Sequence, residues 1–409
     1  MRWWRSCSFF KIVIDPGSIF PCTSKVPSTS VTMTAIHPPF AANHGVFTQS
    51  ANMVHFSRRQ FMIFFQILIC AYVLFLIWDL YRIITKARPS WNKVAVAVVL
   101  TLFLAPGMYK HSLYFPFVIY ILVFTLIIQL ILRIMKKPVR IWMVVLCILC
   151  SGGYVAYGYV HFQKRIEVDY TIKTEKDVDP TRILFISDLH YPNGMDRKTL
   201  DRLVDDLIDT NSDITLIGGD LTDEQTSKTE MEQCIQALAP LAKRSKVFYI
   251  YGNHDLQPKI RNKKFTQDEF EARLKEAGIT ILNDQSTVYD NINIIGRGDY
   301  ALKNRMDANS LLKNIVLDRF TVLVDHQPIE TRELIDSGKV DLMISGHTHN
   351  GQLFPFGYLL NLYWNCDLRY GVSDQGSLTA ITSSGVNAWG FPARTMGTSE
   401  YVVIEVAHE

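Results

Sequence analysis

The segment RILFISDLH, residues 182–190, is a short apolar run that an aspartate and a histidine follow directly. The run is rich in aliphatic and aromatic residues and therefore predicts a β-strand. Four later segments repeat this arrangement: ITLIGGDLTD (214–223), VFYIYGNHD (247–255), TVLVDH (321–326) and LMISGHTH (342–349). Because ligands in open α/β sheets gather at the carboxyl ends of strands, we expect these polar residues to meet at one edge.

Segments with helical periodicity lie between the first three of these predicted strands. Leu200, Leu203, Val204 and Leu207 keep the i, i+3, i+4 spacing of an amphipathic helix, and a second stripe begins at Met231. Alternating strands and helices, followed by more strands, predict an α/β domain with helices packed outside one or two sheets. We assign this domain to residues 181–409, a length that is sufficient for one hydrophobic core.

The residues after the strands are of types that bind metal ions. Residues 162–407 contain five histidines, and all five lie in these segments. Carboxylate, amide and imidazole ligands without a thiolate favour Mn²⁺, Fe or Zn²⁺. One carboxylate flanked by glycine suits a bridge between two metals about 3.5–4 Å apart, an arrangement that activates water for phosphoryl transfer.

The five segments resemble the pattern of the calcineurin-like metallophosphoesterase family: D-x-H, G-D-x-x-D, G-N-H-D, a lone histidine and G-H-x-H. All five blocks are present in that order and cover about residues 181–406. The resemblance implies a four-layer αββα sandwich with two divalent metal ions. It also implies that the nucleophile is a metal-bound hydroxide rather than a side chain.

The resemblance assigns roles to the matching residues. It implies seven metal ligands: Asp188, His190 and His349 for the first metal, Asn253, His326 and His347 for the second, and Asp220 as the bridge between them. His254 would stabilise the transition state or protonate the leaving oxygen, and Asp255 would orient His254. Asp223 either supports these residues or belongs to the turn chemistry of its segment.

The C-terminal part resembles the transmembrane metallophosphoesterase subfamily, which includes bacterial integral-membrane proteins. GHTHNGQ, residues 346–352, matches that subfamily's G-H-T-H-G-G-Q except that Asn350 replaces a glycine. Asparagine tolerates left-handed backbone angles better than most residues, so the metal site is still expected. Residues 385–394 resemble the subfamily's closing glycine-rich loop. Arg394 would hold a substrate phosphate bidentately, or it is an ordinary surface or salt-bridged arginine.

The charge distribution separates two halves of the chain. Residues 1–160 carry 15 Lys and Arg but only 2 Asp and Glu. Residues 161–409 carry 27 Lys and Arg against 37 Asp and Glu, a net charge of −10. Nucleic-acid binding needs a basic surface, so the acidic half excludes nucleic acid as a partner.

The basic half predicts a multi-span α-helical membrane region at residues 57–160. A membrane span needs about 20 apolar residues, and apolar runs lie at about 61–80, 94–110, 113–132 and 141–160. The second run is short, so either three or four helices are expected. We expect residues 161–180 to be a linker. Residues 1–56 are rich in Ser, Thr and Pro and are expected to be a disordered tail or to precede the natural start.

The loops between the apolar runs predict an orientation. Loops 81–93 and 133–140 each carry four Lys or Arg, whereas loop 110–112 carries only Lys110. Because basic loops stay in the cytoplasm, both counts of helices leave the α/β domain on the other side. We therefore expect an integral protein of a bacterial cell membrane with an extracytoplasmic catalytic domain.

The leading hypothesis is a membrane-anchored, dinuclear metal-dependent phosphoesterase that hydrolyses phosphate ester or pyrophosphate bonds. Its expected partners are the lipid bilayer and a phosphate-containing substrate. The resemblance extends to UDP-diacylglucosamine hydrolases, which does not fix the substrate but implies lipid-linked ones such as UDP-diacylglucosamine-like molecules. The apolar stretch 353–364, beside the last metal ligand, is either core packing or a lip that meets acyl chains. Two alternatives are a phosphatase or phosphodiesterase of soluble or cell-wall phosphates, and a catalytically silent binding module.

Overall fold

The computed structural model describes residues 112–137, 140–301, 305–355, 357–358 and 366–409. The predicted segment 1–56 and the first two predicted membrane helices lie outside these residues. The α-helices in the described part are α1 (Tyr114–Ile134), α2 (Ile141–Phe162), α3 (Arg197–Asp209), α4 (Lys228–Leu238), α5 (Gln267–Glu276), α6 (Ala308–Leu311) and α7 (Thr331–Ser337). The strands there are β1 (Arg165–Thr174), β2 (Thr181–Ile186), β3 (Ile214–Ile217), β4 (Lys246–Tyr249), β5 (Thr280–Ile281), β6 (Gln285–Tyr289), β7 (Ile292–Gly296), β8 (Phe320–Val324), β9 (Leu342–Ser345), β10 (Gly371–Asp374), β11 (Thr379–Thr382) and β12 (Ser399–His408).

Helices α1 and α2 occupy the positions of the last two predicted membrane helices. Both are long and apolar enough, by length and composition, to cross a membrane. They pack against each other, and aliphatic side chains such as Leu130 and Leu149 remain exposed on their outer surfaces. Aliphatic side chains that are exposed along a helix pair are typical of an interaction site for protein or lipid.

Two six-stranded sheets form the α/β domain. The first sheet has the order β1-β12-β2-β3-β4-β5, in which β2 to β5 are mutually parallel and β12 is antiparallel to β2. The second sheet has the order β10-β11-β9-β8-β7-β6, in which β11, β9, β8 and β7 are mutually parallel. The predicted α/β class with helices outside two sheets is thus confirmed.

Hydrophobic clusters join these sheets and the helices into layers. Phe185 of β2 and Ile294 of β7 lie in the cluster between the two sheets. Leu203 of α3 and Phe270 of α5 lie in a cluster with residues of the first sheet. Leu334 of α7 packs in a third cluster with residues of the second sheet. Because both faces of the central strands are covered, these strands are continuous apolar runs rather than alternating ones.

Strand β1 lies within the segment that we predicted to be a linker, residues 161–180. Its ten residues pair in parallel with β12, from Arg165 opposite Ser399 to Thr174 opposite His408. The strand alternates intermediate and exposed side chains, as an edge strand with one covered face does. The linker prediction is therefore corrected: α2 leads almost directly into the first sheet.

A substitution in the layer between the sheets tests this packing. Phe320 of β8 is almost fully buried there, so Phe320→Ala should lower the free energy of unfolding by about 3–5 kcal/mol through lost burial and a new cavity. The exposed Leu317, just before the same strand, is the control, and Leu317→Ala should change it by less than about 0.5 kcal/mol. Urea denaturation of the full chain in detergent measures both values. Equal costs for the two variants would contradict the two-sheet packing.

Candidate metal centre

The seven predicted ligands lie together at one edge of the domain. They follow the carboxyl ends of five parallel strands, β2, β3 and β4 in the first sheet and β8 and β9 in the second. Six of them form two groups whose ligand atoms lie within 4.8 Å of one another: Asp188, His190 and His349, and Asp220, His326 and His347. The seventh predicted ligand, Asn253, is adjacent to the second group.

The first group is buried and has short separations between potential ligand atoms. His190 Nε2 lies 3.3 Å from His349 Nε2, and Asp188 Oδ1 lies 3.4 Å from His349 Nε2. Asp188 Oδ2 accepts a hydrogen bond from the Ser187 hydroxyl at 2.6 Å, which fixes the carboxylate. One face of the carboxylate is thus bound by protein donors and the other faces the two imidazoles.

The second group centres on His326 Nε2. This nitrogen lies 3.2 Å from Asp220 Oδ2, 3.3 Å from His347 Nδ1 and 3.1 Å from Asn253 Oδ1. Asp220 Oδ2 is also 3.6 Å from His190 Nε2 in the first group. Asp220 therefore lies between the two groups, where a bridging ligand would have to lie.

The pKa shifts of three of the four predicted histidine ligands favour the neutral form. Burial lowers the pKa of His190 and of His347 to about 3, and burial together with Arg394 holds the pKa of His349 well below its usual value. In the fourth, His326, burial lowers the pKa, but the charge of Asp220 raises it by more, so that its pKa lies well above the usual value until a cation takes the place of the proton. Neutral imidazoles are the form that binds metals. Two imidazole nitrogens 3.3 Å apart beside a buried carboxylate would be well satisfied by a shared cation. The residues present therefore fit a pair of divalent metal ions of the N/O-preferring kind.

Backbone geometry at the site is unusual. Asp188, His190, Asp220, His347 and His349 all have positive φ angles, between 42° and 69°. Such conformations are costly outside glycine and tend to occur at functional sites, where the surrounding structure holds them. They turn successive side chains of short loops toward the same point, which an extended strand end would not do.

Two glycines permit the loops to approach each other. A Cβ atom on Gly252 would lie 2.2 Å from Asp220 Oδ1, and one on Gly346 would lie 2.3 Å from Asp188 Oδ2. Both contacts are far too short for a side chain. The glycines of the G-N-H-D and G-H-x-H blocks thus leave room for the two carboxylates.

His254 lies beside both groups and is oriented by a residue that sequence reasoning missed. Its Nδ1 lies 2.7 Å from Glu224 Oε2, its backbone NH donates to Asp220 Oδ1 at 2.8 Å, and its ring centroid lies 5.4 Å from that of His190. Burial lowers the pKa of His254, but Asp220 and then Glu224 raise it by more, so the net pKa is above the usual value. The signal in the sequence was an acidic residue directly after the G-D-x-x-D block.

The predicted role of Asp255 is corrected. Its carboxylate accepts hydrogen bonds from the backbone NH groups of Asp220 and Gly252 at 2.8 Å, from that of Thr222 at 3.1 Å and from the Tyr249 hydroxyl at 2.7 Å. Asp255 therefore ties the loop after β3 to the loop after β4, and Glu224 contacts His254 instead. Burial, and secondarily the charge of Asp220, raises the pKa of Asp255 to about 6.

Asp223 takes part in a local turn. Its Oδ1 accepts a hydrogen bond from the backbone NH of Gln225 at 2.7 Å, a separation of two residues. This is the Asx-turn arrangement, and it agrees with the turn chemistry that was one of the two interpretations.

Arg394 is not placed to bind a substrate phosphate. Its side chain is fully buried, and its guanidinium donates to the carbonyl oxygens of His349 at 3.0 Å, Ser384 at 2.5 Å and Asn387. Burial lowers its pKa to about 10, which still leaves it charged near neutral pH. The prediction of bidentate phosphate binding is therefore corrected, because the side chain is fully buried and both terminal nitrogens of the guanidinium already donate to backbone carbonyls.

The helical hairpin contacts the loops around this site. The Arg394 backbone NH donates to Gly158 O of α2 at 3.0 Å, and the Tyr120 hydroxyl of α1 donates to Phe354 O at 2.9 Å. Leu353 packs in a cluster with Tyr120 of α1 and residues of α2. Of the predicted apolar stretch 353–364, Leu353 is thus core, whereas Phe354 is 48% exposed.

Two groups of potential metal ligands lie at the edge where two β-sheets of an α/β domain meet. This combination of fold and site is that of a metal-dependent phosphoester hydrolase. Comparison with known proteins agrees. A family model described as calcineurin-like phosphoesterase matches residues 181–351. The chain is 30% identical over 260 residues to an uncharacterized metallophosphoesterase of Helicobacter pylori, covering 62% of this chain and 67% of the relative. The chain belongs to the calcineurin-like metallophosphoesterase family.

Two further relatives carry more informative names. A transmembrane protein with metallophosphoesterase domain of Danio rerio is 29% identical over 280 residues, which cover 63% of this chain and 61% of that protein. The phosphodiesterase YaeI of Escherichia coli is 32% identical over 181 residues, which cover 42% of this chain and 62% of that protein. Both similarities extend over only part of each protein.

Replacing Glu224 tests its role as the positioning residue of His254. Glu224→Gln should lower kcat by about 10–100-fold because the imidazole loses its charged partner. The loss should be smaller for a nitrophenyl leaving group than for an alkyl one, since a good leaving group needs less protonation. Metal content, measured by mass spectrometry, should stay unchanged. Glu271→Gln, which removes a carboxylate bonded to Tyr251, is the control and should leave kcat unaltered. An equal loss on both leaving groups would contradict the role.

Proposed function

We propose that this chain is a membrane-anchored dinuclear phosphoesterase that acts outside the cytoplasm on lipid-linked phosphate esters or pyrophosphates. The observation that carries the proposal is the direct contact between the apolar hairpin α1–α2 and the loops that surround the metal centre. An anchor joined by a flexible linker would leave the site at any distance from the bilayer. Here the contacts hold the site beside the end of the hairpin.

The position of these contacts along α1 supports a substrate that lies at the membrane surface. Tyr120, which is bonded to Phe354 O, lies six residues into α1 from Tyr114, or about 9 Å along the helix axis. If α1 spans the bilayer, the segment at Leu353 and Phe354 lies at the level of the headgroups. Phe354 and Tyr358 are 48% and 54% exposed and would meet the upper part of acyl chains. A lipid-linked phosphate ester or pyrophosphate would carry its phosphate at that level, in the headgroup region.

The names of the relatives support the two halves of the proposal. The zebrafish relative is named a transmembrane protein, and the E. coli relative is named a phosphodiesterase. The apolar runs at 61–80 and 94–110, outside the described residues, are suited to extend the anchor to three or four helices. We accordingly propose residues 57–160 as the membrane region and 181–409, extended by β1, as the catalytic domain.

The residues of the site divide the chemistry among them. When bound, two divalent cations would supply Lewis-acid activation of water and of the phosphoryl group. One cation would be held by Asp188, His190 and His349. The other cation would be held by Asn253, His326 and His347. Asp220 would contact both cations. His254, oriented by Glu224, holds a proton on the imidazole beside both groups, where it can pass to a leaving oxygen. Mn²⁺, Fe and Zn²⁺ all suit this donor set.

Turnover by the purified full chain tests the reaction and the substrate class. In Mn²⁺ and detergent, we expect hydrolysis of bis(nitrophenyl) phosphate that EDTA abolishes and that Asp220→Asn eliminates. Asp318→Asn, an exposed carboxylate at the opposite end of β8, is the matched control and should keep full activity. For lipid phosphates in mixed micelles, kcat/KM should exceed that of short-chain analogues by about tenfold or more, since each buried methylene contributes about 0.8 kcal/mol. Equal kcat/KM values for lipid phosphates and short-chain analogues would favour a phosphatase of soluble phosphates. The absence of any turnover would favour a catalytically silent binding module.

Fusion reporters test the orientation. Four basic residues lie at the end of the hairpin opposite to the catalytic domain: Arg133, Lys136, Lys137 and Arg140. Basic residues favour the cytoplasmic side of a membrane. Alkaline phosphatase fused after Glu409 should therefore be active, and a green fluorescent protein fused there should be dark. The same reporters fused after Lys137 should give the opposite pattern. A fluorescent fusion after Glu409 would place the domain in the cytoplasm.

A further inference from the structure

We propose that Trp389 forms one wall of a leaving-group site and that this site accepts a flat, π-bearing ring such as a nucleobase. The inference rests on the proposed phosphoesterase function and adds a specificity-determining residue to it. Trp389 is 41% exposed, whereas every other residue from 380 to 390 is buried. A large aromatic side chain that is left open inside a buried loop needs a reason.

The position of the indole points to the leaving group. Its ring centroid lies 5.6 Å from that of His254, at an interplanar angle of 39°. The His254 ring also lies 5.4 Å from the ring of His190 in the first ligand group. His254 thus contacts both the ligand groups and the indole. Since His254 would protonate the leaving oxygen, whatever is attached to that oxygen extends toward Trp389.

The backbone that carries the indole is held in place before any substrate arrives. The backbone NH of Trp389 donates to Gln352 Oε1 at 3.0 Å, and Gln352 Nε2 donates to the carbonyl oxygens of Trp389 at 3.0 Å and Phe391 at 3.2 Å. Gln352 is itself buried and follows the last predicted metal ligand by three residues. Because the backbone is fixed in this way, only the side-chain torsions of Trp389 lose conformational entropy when a ring stacks on the indole.

A mobile, exposed cation lies near the same ring. Lys259 Nζ is 6.0 Å from the indole centroid and 3.6 Å from Glu224 Oε1, and its side chain is mostly exposed. An aromatic face with a lysine at its rim suits a planar ring that carries an anionic group, as a nucleotide does. A purely aliphatic leaving group would use neither feature.

Competition between two ligands that differ only in the ring tests the proposal. Uridine 5′-monophosphate carries a base that ribose 5-phosphate lacks. With Mn²⁺-loaded full chain in detergent, the base should tighten binding by about tenfold in wild type, as single-base stacking on an aromatic residue does. Inhibition of bis(nitrophenyl) phosphate hydrolysis and titration calorimetry both measure the preference. The second readout works even if the reporter substrate is not turned over, so failure of the proposed function stays distinguishable.

Variants at the same position separate stacking from packing. Trp389→Leu and Trp389→Ala should abolish the preference for uridine 5′-monophosphate, whereas Trp389→Phe should keep most of it. Tyr300→Ala removes another half-exposed aromatic residue, after β7, and should leave the preference intact. Metal content of each variant checks that the site has folded. An absent preference in wild type, or one that survives in Trp389→Leu, overturns the proposal.

Discussion

The structure depends on the burial of two carboxylates, Asp188 and Asp220, at the meeting point of two sheets. Each is almost completely excluded from solvent, and an isolated buried carboxylate is very costly unless hydrogen bonds and positive charge compensate it. Burial raises the pKa of Asp220, but His326 and His254 hold it well below its usual value. The surrounding loops, glycines and histidines can be understood as the means of satisfying these two groups, and divalent cations, when bound, would add positive charge beside them.

The fold and the location of the site could be predicted because they depend on local patterns. Apolar runs that end in Asp, Asn or His predict parallel strands, and parallel strands present their carboxyl ends at one edge. The family pattern then supplied the pairing of distant blocks. The structure brings those residues together as expected, while their individual roles as ligands stay predictions. The enzyme class and the two-sheet architecture are confirmed.

The departures arose where a role depends on side-chain direction rather than on order in the chain. Asp255 and Glu224 are both acidic residues near His254, and only the conformation of the loop after β3 decides which one reaches the imidazole. Arg394 was expected to face the substrate, but the turn at 384–387 curls around its guanidinium. Strand β1 was missed because its pairing partner, β12, lies more than two hundred residues away.

Strand β12 has a consequence for how the chain is assembled. It inserts between β1 and β2, so the strand that follows α2 has no partner until residues 399–408 have been synthesised. Contacts of such sequence separation close slowly, and an unpaired strand edge is prone to pair with other chains. During translation β1 and β2 would therefore still expose open edges after the hairpin has been synthesised. The ribosome must therefore release nearly the whole domain before the first sheet can close, which makes this closure a late and vulnerable step of biogenesis.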